Sequence, residues 1–132
     1  MTTPVRLLIA DDSETIRRAI CALLQSQNDI VVCGEAQDYP DLLRILSESM
    51  PDVVLLDMRM GEHSFDPTNI RIHLRGSCLL AMSVWNDEET ASLAKSYGAV
   101  KLLDKSQLAS TLIPAIEECM NGTPRTHRDV QN

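Results

Sequence analysis

Apolar positions along this chain fall into blocks of two kinds. Short runs in which nearly every residue is apolar occur at Val5–Ala10, 30–35, 53–56, Cys78–Ser83 and 100–103. Runs of that length and content predict strands buried on both faces, as in a parallel sheet covered by helices. Between them apolar residues recur at helical spacing. Ile16, Ile20, Leu23 and Leu24 predict a first helix running to about Gln27, and Leu42, Leu43, Ile45 and Leu46 a second. Leu93, Ala94 and Tyr97 predict a fourth with a thin apolar side, and so the loosest packing. Leu112, Ile113, Ile116 and Met120 predict a fifth.

Capping chemistry marks where these helices begin. Asp12 or Ser13 caps the first, and Asp38, with Pro40 in the first turn, the second. Asn86 caps the fourth, whose opening Asp87-Glu88-Glu89 suits the positive end of the helix dipole. Gly98 ends it as a left-handed residue. The fifth helix is expected from Ser106 or Ser110 to Met120, and Pro114 fits only if the helix proper starts near Ser110. Residues 61–69 read as a polar loop. Residues 70–75 predict a third helix, although their alternation also suits a strand, and residues 123–132 carry no pattern and read as a polar tail or linker. Five strands alternating with five helices give an α/β, flavodoxin-like, doubly wound parallel sheet of strand order 2-1-3-4-5, with the first and third strands adjacent at the switch point.

Composition narrows the function classes. The 132 residues suffice for one domain with a sizeable core. A net charge of -7 argues against nucleic acid or an anionic membrane as a direct partner. No apolar run is long enough to span a bilayer, and residues 1–6 lack a signal-peptide layout, so a cytoplasmic location is expected. The four cysteines, Cys21, Cys33, Cys78 and Cys119, are far apart and form no C-x-x-C pair; they read as small, reduced core residues.

The third apolar run ends in a carboxylate, Asp57, at the strand end where open α/β sheets place their ligand sites. With strands one and three adjacent, Asp11 and Asp12 lie beside it. Three crowded carboxylates repel one another unless a cation sits among them, and oxygen donors of this kind suit Mg²⁺. Strand four brings Ser83 to the same edge and strand five brings Lys105. Singly, Asp11-Asp12 reads as a helix cap, Ser83 as an ordinary strand end and Lys105 as a surface charge. Together they form a site for one phosphoryl group: Asp57 attacks phosphorus, while Ser83, Lys105 and the metal meet its oxygens.

Ala10-Asp11-Asp12, residues 53–57 with Met60, Ser83 and Lys105 resemble the defining set of bacterial two-component response-regulator receiver domains, over residues 5 to about 122. Residues 6–12, 32–36 and 51–57 are especially similar to receivers with a LuxR-type helix-turn-helix output. The resemblance implies that Asp57 becomes an aspartyl phosphate, with a phosphohistidine on a sensor histidine kinase as donor. It implies a Mg²⁺ ion on Asp12, Asp57 and the main-chain carbonyl of Arg59, with Asp11 acting largely through water. Ser83 and Lys105 would hold the phosphoryl oxygens. Arg59 and Trp85 are positions that tune the lifetime of the acyl phosphate, and both are large here, a plausible cation–π pair. The chain would be a phosphoacceptor rather than a turnover enzyme. Phosphorylation would drive dimerisation or partner docking through the fourth helix, fifth strand and fifth helix. It would be either a stand-alone receiver or part of a regulator with a separate DNA-binding domain.

Several positions depart from the family pattern. Val84 adds bulk beside the path to Asp57. Gly61 replaces the usual proline after Met60, and Ser106 replaces the proline after Lys105, favouring a trans link. Leu102 stands where the family carries its switching aromatic, which puts a Tyr or Phe rotamer swap in question. The alternative reading is a receiver-fold interaction module that signals without phosphate. A Mg²⁺-dependent phosphohydrolase lacks a general acid near Asp57 in sequence, and flavin binding is disfavoured by the charge of Asp11-Asp12.

Overall fold

The computed structural model describes residues 3–61 and 66–122. Strands β1 (Val5–Ala10), β2 (Ile30–Ala36), β3 (Val53–Asp57), β4 (Cys78–Ser83) and β5 (Ala99–Asp104) alternate with helices α1 (Glu14–Leu24), α2 (Tyr39–Ser49), α3 (Pro67–Leu74), α4 (Glu88–Ser96) and α5 (Leu108–Gly122). All strands are parallel, in the order β2-β1-β3-β4-β5 expected from the sequence.

The two faces of the sheet bury alternate residues, as the pleat requires. Leu7, Ile9, Val53, Leu55, Leu80 and Met82 pack with Ile20 and Leu24 of α1 and Leu112 and Ile116 of α5. Leu8, Ala10, Val54, Leu56, Leu79 and Ala81 pack with Leu42 and Leu46 of α2, Ile70 and Leu74 of α3, and Ala94 and Tyr97 beside α4. Every residue of β3 is buried, the mark of a central strand covered on both sides. Asp52 ties the opening ends of three strands together. Its N–H donates to the Arg6 carbonyl at 2.9 Å, its carboxylate accepts from the Arg6 N–H at 2.9 Å, and its carbonyl accepts from the Cys78 N–H at 2.9 Å. The register of β1, β3 and β4 is thereby fixed at the far end from Asp57.

Several sequence expectations shift. Ser13 is the cap of α1, accepting from the Ile16 N–H at 3.2 Å, and the helix ends at Leu24 rather than near Gln27. The third element is a helix, and it starts earlier than expected: Asp66 caps it and Pro67 opens it, so residues 67–69 are not loop. A proline with fixed φ is well suited to a first helical position. Residues 62–65 of the expected loop and the expected tail lie outside the described residues. Asp87, not Asn86, caps α4, accepting from the Thr90 N–H at 2.8 Å. Thr90, Ala94 and Tyr97 recur at i, i+4 and i+7 and form the buried stripe, which leaves Leu93 at its edge, 38% exposed.

Pro114 lies well inside α5, because the helix begins at Leu108 after a 3₁₀ turn over Lys105–Gln107. The proline faces solvent, so the carbonyl of Ser110, which loses its intrahelical donor, is on the exposed side of the helix where water can serve it.

The cysteines need a larger correction. Cys78, at the start of β4, and Cys119, near the end of α5, form a disulfide, with Cα atoms 6.0 Å apart. The expectation of four reduced thiols holds only for Cys21 and Cys33. A separation of 41 residues gives no spacing signature, and only the docking of α5 on the sheet brings the two together. Closing a loop of this length is worth about 2–4 kcal/mol. Unfolded without reductant, the chain should therefore expose two titratable thiols, rising to four after reduction. Reduction should also lower the unfolding free energy in denaturant by about that amount.

Candidate functional site

The site lies at the carboxyl ends of β1, β3, β4 and β5, and strand register delivers each member. Ala10 pairs with Leu56, so Asp11 and Asp12 leave β1 level with Asp57. Asp57 pairs with Met82, and Ser83 pairs with Asp104, which places Ser83 and Lys105 one step further along the same edge. One carboxylate oxygen from each of Asp11, Asp12 and Asp57 lies within 4.8 Å of the others. Asp11 and Asp57 are buried and Asp12 is exposed.

Lys105 is the counter-charge. Its Nζ lies 2.7 Å from Asp11 Oδ2 and 3.3 Å from Asp57 Oδ1, with the ammonium side chain mostly covered. Burial pushes the Asp57 carboxyl above the ordinary aspartate value, and the neighbouring Asp11 charge adds to this. The Arg59 N–H and Lys105 pull the other way without cancelling it. For Lys105, burial opposes the charged form, but the hydrogen bond to Asp11 and the charges of Asp57 and Asp11 outweigh it. Its pKa stands above the ordinary lysine value.

The remaining contacts form a loop around the pocket. Asp57 Oδ1 accepts from the Arg59 N–H at 3.1 Å. The Arg59 guanidinium stands 5.6 Å from the centre of the Trp85 ring, within cation–π range. The Trp85 N–H donates to Ser83 Oγ at 2.9 Å. Ser83 thus spends an acceptor position on Trp85 and keeps its hydroxyl proton available. Among the described residues, the Asp12 carboxylate accepts from the Gly61 N–H at 3.4 Å, and Gly61 has φ 81°, a backbone region in which its lack of a Cβ matters.

Three all-oxygen donors around one point match a hard divalent cation that retains water, and Mg²⁺ suits this set. Asp11 Oδ2 is buried and meets the Lys105 ammonium at 2.7 Å, while three carboxylates share that one counter-charge. The pocket therefore carries more negative charge than one lysine can balance.

Val84 is 66% exposed. Leu102 pairs with Ala81 and packs half-buried against the face that holds Tyr97. No cis peptide occurs among the described residues, so Lys105–Ser106 is trans. The reading from sequence did not single out Arg17, whose guanidinium donates to the Asp11 carbonyl at 2.7 Å. An arginine six residues past Asp11 on a helix that starts at this edge was its only signal.

Comparison with known proteins agrees with this geometry. Residues 7–117 match the family model described as the response regulator receiver domain. The chain is 30% identical over 128 residues to the transcriptional regulatory protein LiaR of Bacillus subtilis, covering 96% of this chain and 61% of that protein. It is 29% identical over 115 residues to the transcriptional regulatory protein PdtaR of Mycobacterium tuberculosis, covering 86% of this chain and 56% of that protein. Among solved structures, the signal receiver domain of the response regulator NarL from Mycobacterium tuberculosis superposes with a TM-score of 0.82 at 25% identity, over 92% of this chain and 99% of that one. The chain thus spans about three-fifths of the length of the curated regulators it matches. With a five-stranded parallel sheet in the order 2-1-3-4-5 and an acidic pocket at the ends of β1 and β3, this chain belongs to the response regulator receiver domain family.

Proposed function

We propose that this chain is the phosphoacceptor of a two-component signalling system, taking a phosphoryl group from a sensor histidine kinase onto Asp57. The observation that carries this reading is the meeting of Asp11, Asp12, Asp57 and Lys105 at one strand edge. Asp12, Asp57 and the Arg59 carbonyl would hold Mg²⁺, with Asp11 reaching it through water. When bound, the ion neutralises charge on the phosphoryl oxygens.

The chain's own residues do the rest. Asp57 Oδ1 is occupied by the Arg59 N–H and Lys105, so attack on phosphorus falls to Oδ2. The new O–P bond forms as the bond from phosphorus to the donor nitrogen breaks. The Lys105 ammonium and the Ser83 hydroxyl, whose proton the Trp85 contact leaves free, stabilise the phosphoryl oxygens. The Arg59–Trp85 pair, joined by main-chain hydrogen bonds to Asp57 and Ser83, would screen the product from attacking water.

The phosphoryl group adds about two negative charges at the switch point. Drawing Ser83 toward them pulls on the 83–87 connection and on α4, whose buried stripe is short. Val84, Trp85, Leu93 and Val100 leave apolar surface exposed on this side of the fold, which supports dimerisation or partner docking through α4, β5 and α5. A DNA-binding output domain outside this chain, as the transcriptional regulators among the relatives suggest, would then receive the signal. No helix among the described residues is long and apolar enough to cross a membrane, and we place the protein in the cytoplasm with its kinase's catalytic part.

Incubation with Mg²⁺ and a small acyl phosphate should add one phosphoryl group by intact mass; Asp57→Asn should add none, and an equal gain in that variant defeats the proposal. Trp85→Ala should shorten the half-life of the phosphorylated protein about 2- to 30-fold, the range of one cation–π contact, when its decay is followed by phosphate release. Because the folded pKa of Asp57 is raised, its ionised form costs stability above the unfolded value, and that cost fades as pH falls through the folded pKa. Without divalent ions, Asp57→Asn should therefore raise Tm at neutral pH, with a smaller difference in acid. Mg²⁺ should raise the wild-type Tm and leave that of the variant nearly unmoved, as differential scanning calorimetry can measure.

A further inference from the structure

The Asp11–Asp12 peptide is gripped from outside the acidic pocket. Arg17, in the first turns of α1, donates from Nη1 to the Asp11 carbonyl at 2.7 Å and from Nε to Glu35 Oε1, on β2, at 3.1 Å. Its side chain is only 13% exposed, whereas that of Glu35 is 42% exposed. The opposite side of Asp11 is held as firmly. Its N–H donates to the Ala36 carbonyl at 3.0 Å, Oδ1 accepts from the Ser13 N–H at 2.8 Å, and Oδ2 meets Lys105. Asp11 is thus fixed at backbone and side chain alike. Among the described residues, the Asp12 carboxylate has the long contact from Gly61. The position from which its carboxylate projects is set by the peptide that joins it to Asp11, and the oxygen of that peptide is the atom Arg17 holds.

We propose that Arg17 is a positioning residue for the divalent-cation site, with Glu35 as its orienting partner. This inference rests on the Mg²⁺ reading given above. Arg17 sets the Asp11–Asp12 peptide so that the Asp12 carboxylate is presented toward Asp57. Glu35 does two things. It fixes the guanidinium fork in the orientation that reaches the Asp11 carbonyl, and it balances a positive charge that would otherwise repel the ion. Cys21, one turn after Arg17, places Sγ 4.0 Å from Glu35 Oε2, a weak contact on the other side of the same carboxylate.

Geometry and plain electrostatics predict opposite signs here. As a mere nearby charge, Arg17 opposes cation binding, and Arg17→Ala would tighten it. As a positioning residue, its loss weakens binding. Titration calorimetry of the whole chain with MgCl₂ reads the difference, with the thermal midpoint of each variant as a check on folding. Arg17→Ala should bind Mg²⁺ about tenfold more weakly, the effect of losing one well-formed hydrogen bond. Arg17→Lys, which keeps a donor within reach of the carbonyl but not the bridge to Glu35, should recover part of the loss. Glu35→Gln, at a half-exposed position, should weaken binding a few-fold while remaining folded. Unchanged or tighter binding in Arg17→Ala overturns the proposal. If that variant does not fold, unchanged affinity in Glu35→Gln overturns it instead. A wild-type chain that takes up no Mg²⁺ defeats the cation-site reading itself, whereas a binding wild type with indifferent variants defeats only the role of Arg17.

Discussion

The site depends on one ion-pair geometry, a single ammonium set between two buried carboxylates. Asp11 and Asp57 lie at the end of a sheet that is otherwise hydrocarbon, and a buried anion is tolerated only when it is paired. Lys105 supplies that pairing from β5, two strands away from β3, so the charge balance of the pocket depends on the sheet being correctly assembled through β4. The balance is also incomplete. One positive charge faces three negative ones, and the lysine alone leaves the pocket anionic. Fold and chemistry are thus two aspects of the same register.

Much of this was legible because the governing signals are local. The five strands announce themselves as apolar runs, and Asp57, Ser83 and Lys105 each follow such a run directly, so placing the strands places the residues. The parts that escaped depend on geometry that sequence does not carry. Asp66-Pro67 is a good helix start, but the weak periodicity of Ile70 and Leu74 gave it little to begin. Leu93 is apolar and so reads as inward from sequence, whereas the phase of α4 set by Ala94 and Tyr97 puts it at the rim and turns Thr90 in. Pro114 argued for a shorter α5, and the solvent-facing side on which it lies removes the objection. Cys78 and Cys119 meet only after α5 has docked.

Arg17 and Trp85 show a second level of organisation around the acidic residues. Neither needs to touch a phosphoryl group. Arg17 acts on the backbone of the residue before Asp12, and Trp85 acts through its own amide on Ser83 and through its ring on Arg59. The acidic residues and Ser83 are held by main-chain contacts with their neighbours as well as by Lys105.

The disulfide gives this arrangement an asymmetry. Strand β4 carries Ser83 at one end and Cys78 at the other, and Cys78 is bonded to the last turns of α5. Helix and strand are thereby joined covalently as well as through the apolar layer between them. Helix α4, on the opposite side of the sheet, has no such fastening and presents a narrow apolar stripe. The two flanks of the strand that carries Ser83 are thus unequally fastened, one covalently and the other by side-chain packing alone.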